Sequence, residues 1–194
     1  VPLEDGDGLT ILSAYEILDT ARDHVEPVVG LPAFGDATMV ATLVEVGGDI
    51  VASVHCPMCS ASAEPEVYPL RAGVAGPKLA EGFVAAGLEG FWIHTRIGEE
   101  CELSEIDATG KLLRAARTID CELTVQEETS LGVLVGDGTG SMLLDPDTLA
   151  LTELPGRAVA VFDDQALIEH NGDVTLYDPA TANSAPLSVP ESNG

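Results

Sequence analysis

Positive charge is scarce in this sequence: 8 Lys and Arg stand against 33 Asp and Glu, a formal net charge of −25. Lysine occurs only at Lys78 and Lys111, and the arginines, Arg22, Arg71, Arg96, Arg114, Arg117 and Arg157, are dispersed. That dispersal excludes a surface able to neutralise nucleic-acid phosphates. Long apolar runs are also missing, which excludes a membrane-spanning helix. The acidic opening VPLEDGDG has no signal-peptide pattern, so no leader is expected. Low hydropathy is absent too. With 45% hydrophobic residues and a mean hydropathy of +0.21, the chain is not disordered throughout, and 194 residues suffice for a buried core.

What is present is carboxylate. A surface so lopsided repels itself in dilute buffer, and the repulsion fades where salt shortens the screening length. In brine the same carboxylates keep the surface hydrated. The composition resembles proteins of salt-accumulating haloarchaea; an acidic protein from a high-GC mesophile is the alternative. Expected partners are solvent cations and other protein subunits.

The hydrophobic pattern predicts an α+β fold. From Thr10 to Val25, Ile11, Ala14, Tyr15, Leu18, Ala21 and Val25 recur at helical spacing, with Thr10 or Ser13 as the cap, Glu16 completing a capping box with Ser13, and Pro27 as the stop. Two Val- and Thr-rich runs, 39–46 and 50–55, flank Gly47-Gly48-Asp49 and predict a β-hairpin. Gly76-Pro77 opens a short second helix over 77–86, with Gly87 as its stop. Strands are expected at 91–97, 101–106, 111–114, 119–125, 132–135, 141–144, 158–162, 166–169 and 174–177. Their short connections favour antiparallel pairing, as a sandwich or barrel. The expected organisation is a helix-and-hairpin part over 1–90 with a Cys-bearing loop, a β part over 91–180 packed on it, and an extended tail over 181–194.

A faint repeat runs through the C-terminal third. Leu143-Leu144-Asp145-Pro146-Asp147-Thr148 matches Leu176-Tyr177-Asp178-Pro179-Ala180-Thr181 at an offset of 33 residues, and strand, turn and strand precede each copy. These units resemble single hairpins of β-propeller blades. Two cannot close a propeller, so they are read as two hairpins, each ended by an Asp-Pro turn.

His55-Cys56-Pro57-Met58-Cys59 is the most reactive-looking segment. A redox dithiol needs a helix behind it to stabilise a thiolate, and Pro65 stops one within little more than a turn. A zinc site needs four ligands: Cys56 and Cys59 with Cys101 and Cys121, His55 or His94 being substitutes. The competing reading puts Cys101 and Cys121 in the core, as small apolar side chains or as a disulfide. No cofactor is expected if that reading holds, and zinc if it does not.

Other constellations fall short. Asp5, Asp7 and Gly8 lack the first and last ligands of a calcium loop, and Gly136-Asp137-Gly138-Thr139-Gly140 lacks the ending of a phosphate loop. His24, His55, His94 and His170 are scattered and no hydrolase motif accompanies them, so no catalytic residue is assigned.

The sequence therefore predicts a non-enzymatic, β-rich structural subunit of a larger protein assembly from a high-salt environment. Components of halophilic virions have this acidic, motif-poor profile, which would place the chain in a capsid, tail or other particle assembled in a saline cytoplasm. The alternative is a small zinc- or thiol-dependent protein centred on Cys56 and Cys59.

Overall fold

The computed structural model describes residues 2–4, 10–12, 15–19, 24–32, 40–57, 64–138 and 140–187, with side chains described from Val28 onward. Every regular element among them is a strand, so the expected α+β class is corrected to all-β. No helix there is long and apolar enough to cross a membrane. The chain divides into two compact units, residues 1–118 and 119–194.

In the first unit, β1 (Pro2–Glu4) pairs with β2 (Thr10–Leu12), and β3 (Tyr15–Asp19) with β4 (His24–Val28). These strands replace the expected first helix. Tyr15 faces Val28 and Leu18 faces Val25 across the second ladder. Tyr, Ile and Val favour a pleated strand, and a short helix is marginal on its own.

The strands β5 (Val40–Val46), β6 (Asp49–His55), β7 (Glu66–Arg71) and β8 (Val74–Ala75) follow as an antiparallel meander. Its first hairpin turns at Gly47 and Gly48 with φ of 61° and 90°, the left-handed geometry that glycine adopts without strain. The expected second helix is replaced by β9 (Ala80–Glu81) and β10 (Phe83–Ala86). Here the backbone changes partner: Ala80 pairs with Val67 on β7, and Phe83 with His94 on β11 (Phe91–Ile97). Gly82 makes the break at φ +130°, where a Cβ would lie 2.5 Å from the His94 carbonyl oxygen. Neighbouring strands thus supply the hydrogen bonds a helix would have made internally. A second meander runs from β10 through β11 and β12 (Glu100–Ile106) to β13 (Leu112–Ile119).

In the second unit, β14 (Thr124–Thr129), β15 (Gly132–Gly136), β16 (Ser141–Leu144) and β17 (Leu151–Glu153) form a third meander. The single strand expected over 119–125 is instead broken by a turn, in which Asp120 Oδ1 accepts the Glu122 N–H at 3.0 Å. A fourth meander contains β18 (Arg157–Phe162), β19 (Gln165–His170), β20 (Asp173–Asp178) and β21 (Asn183–Pro186). The expected C-terminal tail therefore contributes a strand; residues 188–194 lie outside the described residues.

Within each unit one meander packs face to face on the next. In the first, Val51 and Val67 meet Phe91, Ile93 and Ile106. In the second, Leu134, Leu143 and Leu154 meet Ala158, Ala166, Ile168 and Tyr177. Alternation along each strand sends the intervening residues to the opposite face, so every meander has two faces to cover.

Candidate functional site

The turn between the third and fourth strands recurs in three meanders, built each time around an aspartate. Asp107 Oδ1 accepts the backbone N–H of Thr109 at 2.8 Å and of Lys111 at 3.0 Å. Asp145 Oδ1 accepts those of Asp147 at 2.9 Å and Thr148 at 2.6 Å. Asp178 Oδ1 accepts those of Ala180 at 2.9 Å and Thr181 at 3.3 Å. Each turn contains a left-handed residue: Gly110 at φ 84°, Leu149 at 59° and Ala182 at 54°. The hydroxyls of Thr109 and Thr181 donate to Asp107 and Asp178, and these bonds are the largest cause holding both carboxyls below the ordinary aspartate range. The sequence reads a turn at Asp107-Ala108-Thr109-Gly110 as well, but its kinship with the Asp-Pro turns escaped notice because it lacks proline and is one residue shorter.

A second constellation lies across β11, β12 and β13. Trp92 stands opposite Glu105 in the ladder, and the Arg114 guanidinium reaches Glu105 Oε2 at 2.5 Å while lying 5.3 Å from the Trp92 ring centre. Glu105 is 1% exposed. Burial of this carboxylate is tenable because the Arg114 guanidinium meets its Oε2 in place of water. The hairpin pattern could have revealed the Trp92–Glu105 pairing, but nothing in the spacing singled out Arg114.

On β7, Tyr68 donates to Glu66, and Lys78 Nζ donates to Glu66 Oε1 at 3.3 Å and Glu81 Oε1 at 2.7 Å. Burial, aided by the Glu66 bond, pushes the Tyr68 phenol up to about 12. The same bond, with help from Lys78, lowers the Glu66 carboxyl.

The residues singled out for metal chemistry are placed as follows. His55 ends β6, its ring centre 6.3 Å from that of Phe83. Cys56 follows it and is buried, as is Cys101 on β12; Cys121 lies in the turn before β14. Cys59 lies outside the described residues. Cys56, Cys101 and Cys121 are all disulfide-bonded. His94, on β11, is half-buried, and burial followed by the nearby Arg96 charge lowers its pKa. No group of three or more His, Cys, Asp or Glu among the described residues is placed to hold a metal ion. Zinc ligation by these cysteines requires thiolates, so it would belong to a reduced chain.

No protein-family model matches the chain, and no curated protein matches it by sequence. Among solved structures, TolB from Acinetobacter baumannii aligns with a TM-score of 0.53 over 92% of this chain, at 12% identity. The alignment covers 50% of TolB, so this chain spans half the length of that protein. At such identity the likeness is one of fold.

Proposed function

We propose that this chain is a non-enzymatic structural subunit of a larger protein assembly in a high-salt medium. The observation that carries the reading is what its polar side chains are used for. Asp107, Asp145 and Asp178 close equivalent turns in three meanders, and Arg114 neutralises the buried Glu105 between strands. A net charge of −25 on such a scaffold suits brine, where repulsion between subunits is screened. Disulfides favour a location outside a reducing cytoplasm, as on a virion or a cell surface. They weigh against the thiol-dependent alternative.

Sedimentation velocity in molar KCl over a wide concentration range tests this. Assembly into a species of defined stoichiometry is the expected result. A chain that remains monomeric throughout overturns the reading.

A further inference from the structure

The third and fourth meanders repeat at an offset of 33 residues as far as Leu154 and Leu187, whose N–H groups donate to the carbonyls of Ser141 at 3.0 Å and Val174 at 3.5 Å. The repeat breaks at one hairpin. In the third meander the ladder of β15 and β16 stops at Gly136 and Ser141, and residues 137–140 connect them. In the fourth, β19 and β20 run one pair further, to His170 and Asp173, which leaves Asn171 and Gly172 to make the whole turn. Both are left-handed, at φ 54° and 87°, as the tightest hairpin turn requires.

The same two residues are suited to close a ring on themselves. Asn171 and Gly172 are exposed, and no hydrogen bond among the described residues engages the Asn171 amide. A Cβ on Gly172 would meet nothing within 4 Å, so no neighbour crowds that side of the turn. Asn183 differs on both counts that matter: it lies in β21, opposite Asp178, and Ser184 follows it in place of glycine. In the third meander the matching connection carries Asp137-Gly138. There an acid stands in place of an amide, and its Oδ1 accepts the Gly140 N–H at 3.1 Å.

We propose that Asn171 is a site of spontaneous deamidation in the folded chain, with water as the sole co-reactant. The Gly172 backbone nitrogen adds to the Asn171 side-chain carbonyl carbon. Its proton leaves with the amide nitrogen as ammonia, and a five-membered succinimide ring results. Water then opens the ring: attack at the side-chain carbonyl gives aspartate, and attack at the backbone carbonyl gives isoaspartate. The isoaspartyl product lengthens the main chain of a two-residue turn by one carbon, so the turn no longer matches the strands it joins. Register is what suffers, because β19 and β20 set Ala166 opposite Tyr177, both buried in the core of the unit. The dipeptide that makes the hairpin is thereby the one whose ageing opens it.

The test incubates the whole chain in molar KCl at mildly alkaline pH and follows each asparagine by fragmentation mass spectrometry, with Asn193-Gly194 read as a separate fragment. Loss of the Asn171 amide to a mixture of aspartate and isoaspartate, while Asn183 keeps its amide, supports the inference. So does a fall of about 2–4 °C in the melting temperature of the aged wild type, the shift a chain of this length shows for one weakened turn. Asn171→Gln, compared with its own fresh sample, shows no such fall, because its longer side chain closes a ring far more slowly. Fresh Asn171→Asp carries the added charge on an unaltered main chain, so it melts close to fresh wild type. An Asn171 amide that lasts as long as that of Asn183, or that is lost only in denaturant, overturns the inference by showing that the folded turn shields it. Loss of the amide with no change in melting temperature overturns the consequence for the hairpin.

Discussion

Arg114 and Glu105 hold each other at 2.5 Å between β13 and β12, with the Trp92 ring beneath the guanidinium. The carboxylate is almost wholly buried while the arginine side chain is 33% exposed, so the pair is asymmetric. Arg114→Ala takes this partner from a carboxylate that water reaches poorly. The expected loss is about 3 kcal/mol, the lower end for a broken buried pair because of that partial exposure. Replacing both residues by Met and Leu should restore most of it, since an apolar pair removes the desolvation cost. Chemical denaturation of the single and double variants checks both statements.

Two glycines and one alanine make opposite predictions. A Cβ on Gly132, at φ +128°, would lie 2.9 Å from the Leu144 carbonyl oxygen, and one on Gly90 2.4 Å from that of Ile106. Alanine at either site should cost about 1–3 kcal/mol through displaced backbone. Ala182, exposed and at φ 54°, holds a left-handed turn that glycine adopts freely. Ala182→Gly should therefore stabilise by about 0.5–1 kcal/mol. Thermal melts of the three variants should move in these two directions.

The turn aspartates set an acid limit. Asp107 and Asp178 are held below their ordinary value of 3.8, so the stability they contribute is complete above that pH and lost as pH falls through the lowered values. Asp178→Asn should flatten acid unfolding below pH 3.8, measured by circular dichroism. Tyr68 acts at the other end. With its phenol raised from 10.0 to about 12, its contribution is intact below 10.0 and lost as pH rises towards 12. Ultraviolet titration should show a late-ionising tyrosine, and Tyr68→Phe should remove it.

Net charge predicts the response to salt. With −25 on 194 residues, the melting temperature should rise steeply from low to molar KCl and depend little on which monovalent chloride is used. A melting temperature indifferent to salt would favour the mesophilic reading.

The sequence showed some of the hairpins whose turn chemistry was local, although the stretch 56–76, which it gave as irregular, contains β7, the tight Ala72-Gly73 turn and β8. Gly47-Gly48 announced β5 and β6, and the strands expected at 91–97 and 141–144 appear as β11 and β16. The two expected helices failed for one reason: periodicity reports which residues are apolar, and pairing with a neighbouring strand decided their conformation. Leu79, Ala80, Phe83 and Val84 read as a helical stripe until β11 supplies the ladder that takes up Phe83 and Val84. The Asp-Pro repeat was legible as two turns. Its extension to Leu154 and Leu187 was not, because a lone leucine at an offset of 33 residues carries no signal until both N–H groups are seen to make the same bond.

Small-angle scattering of the wild-type chain in molar KCl, from dilute to concentrated protein, tests most directly whether the chain is an assembly subunit. The account predicts a scattering mass that rises with concentration to a fixed multiple of the 20.1 kDa of one chain. A mass that stays at that of a single chain at every concentration would contradict it.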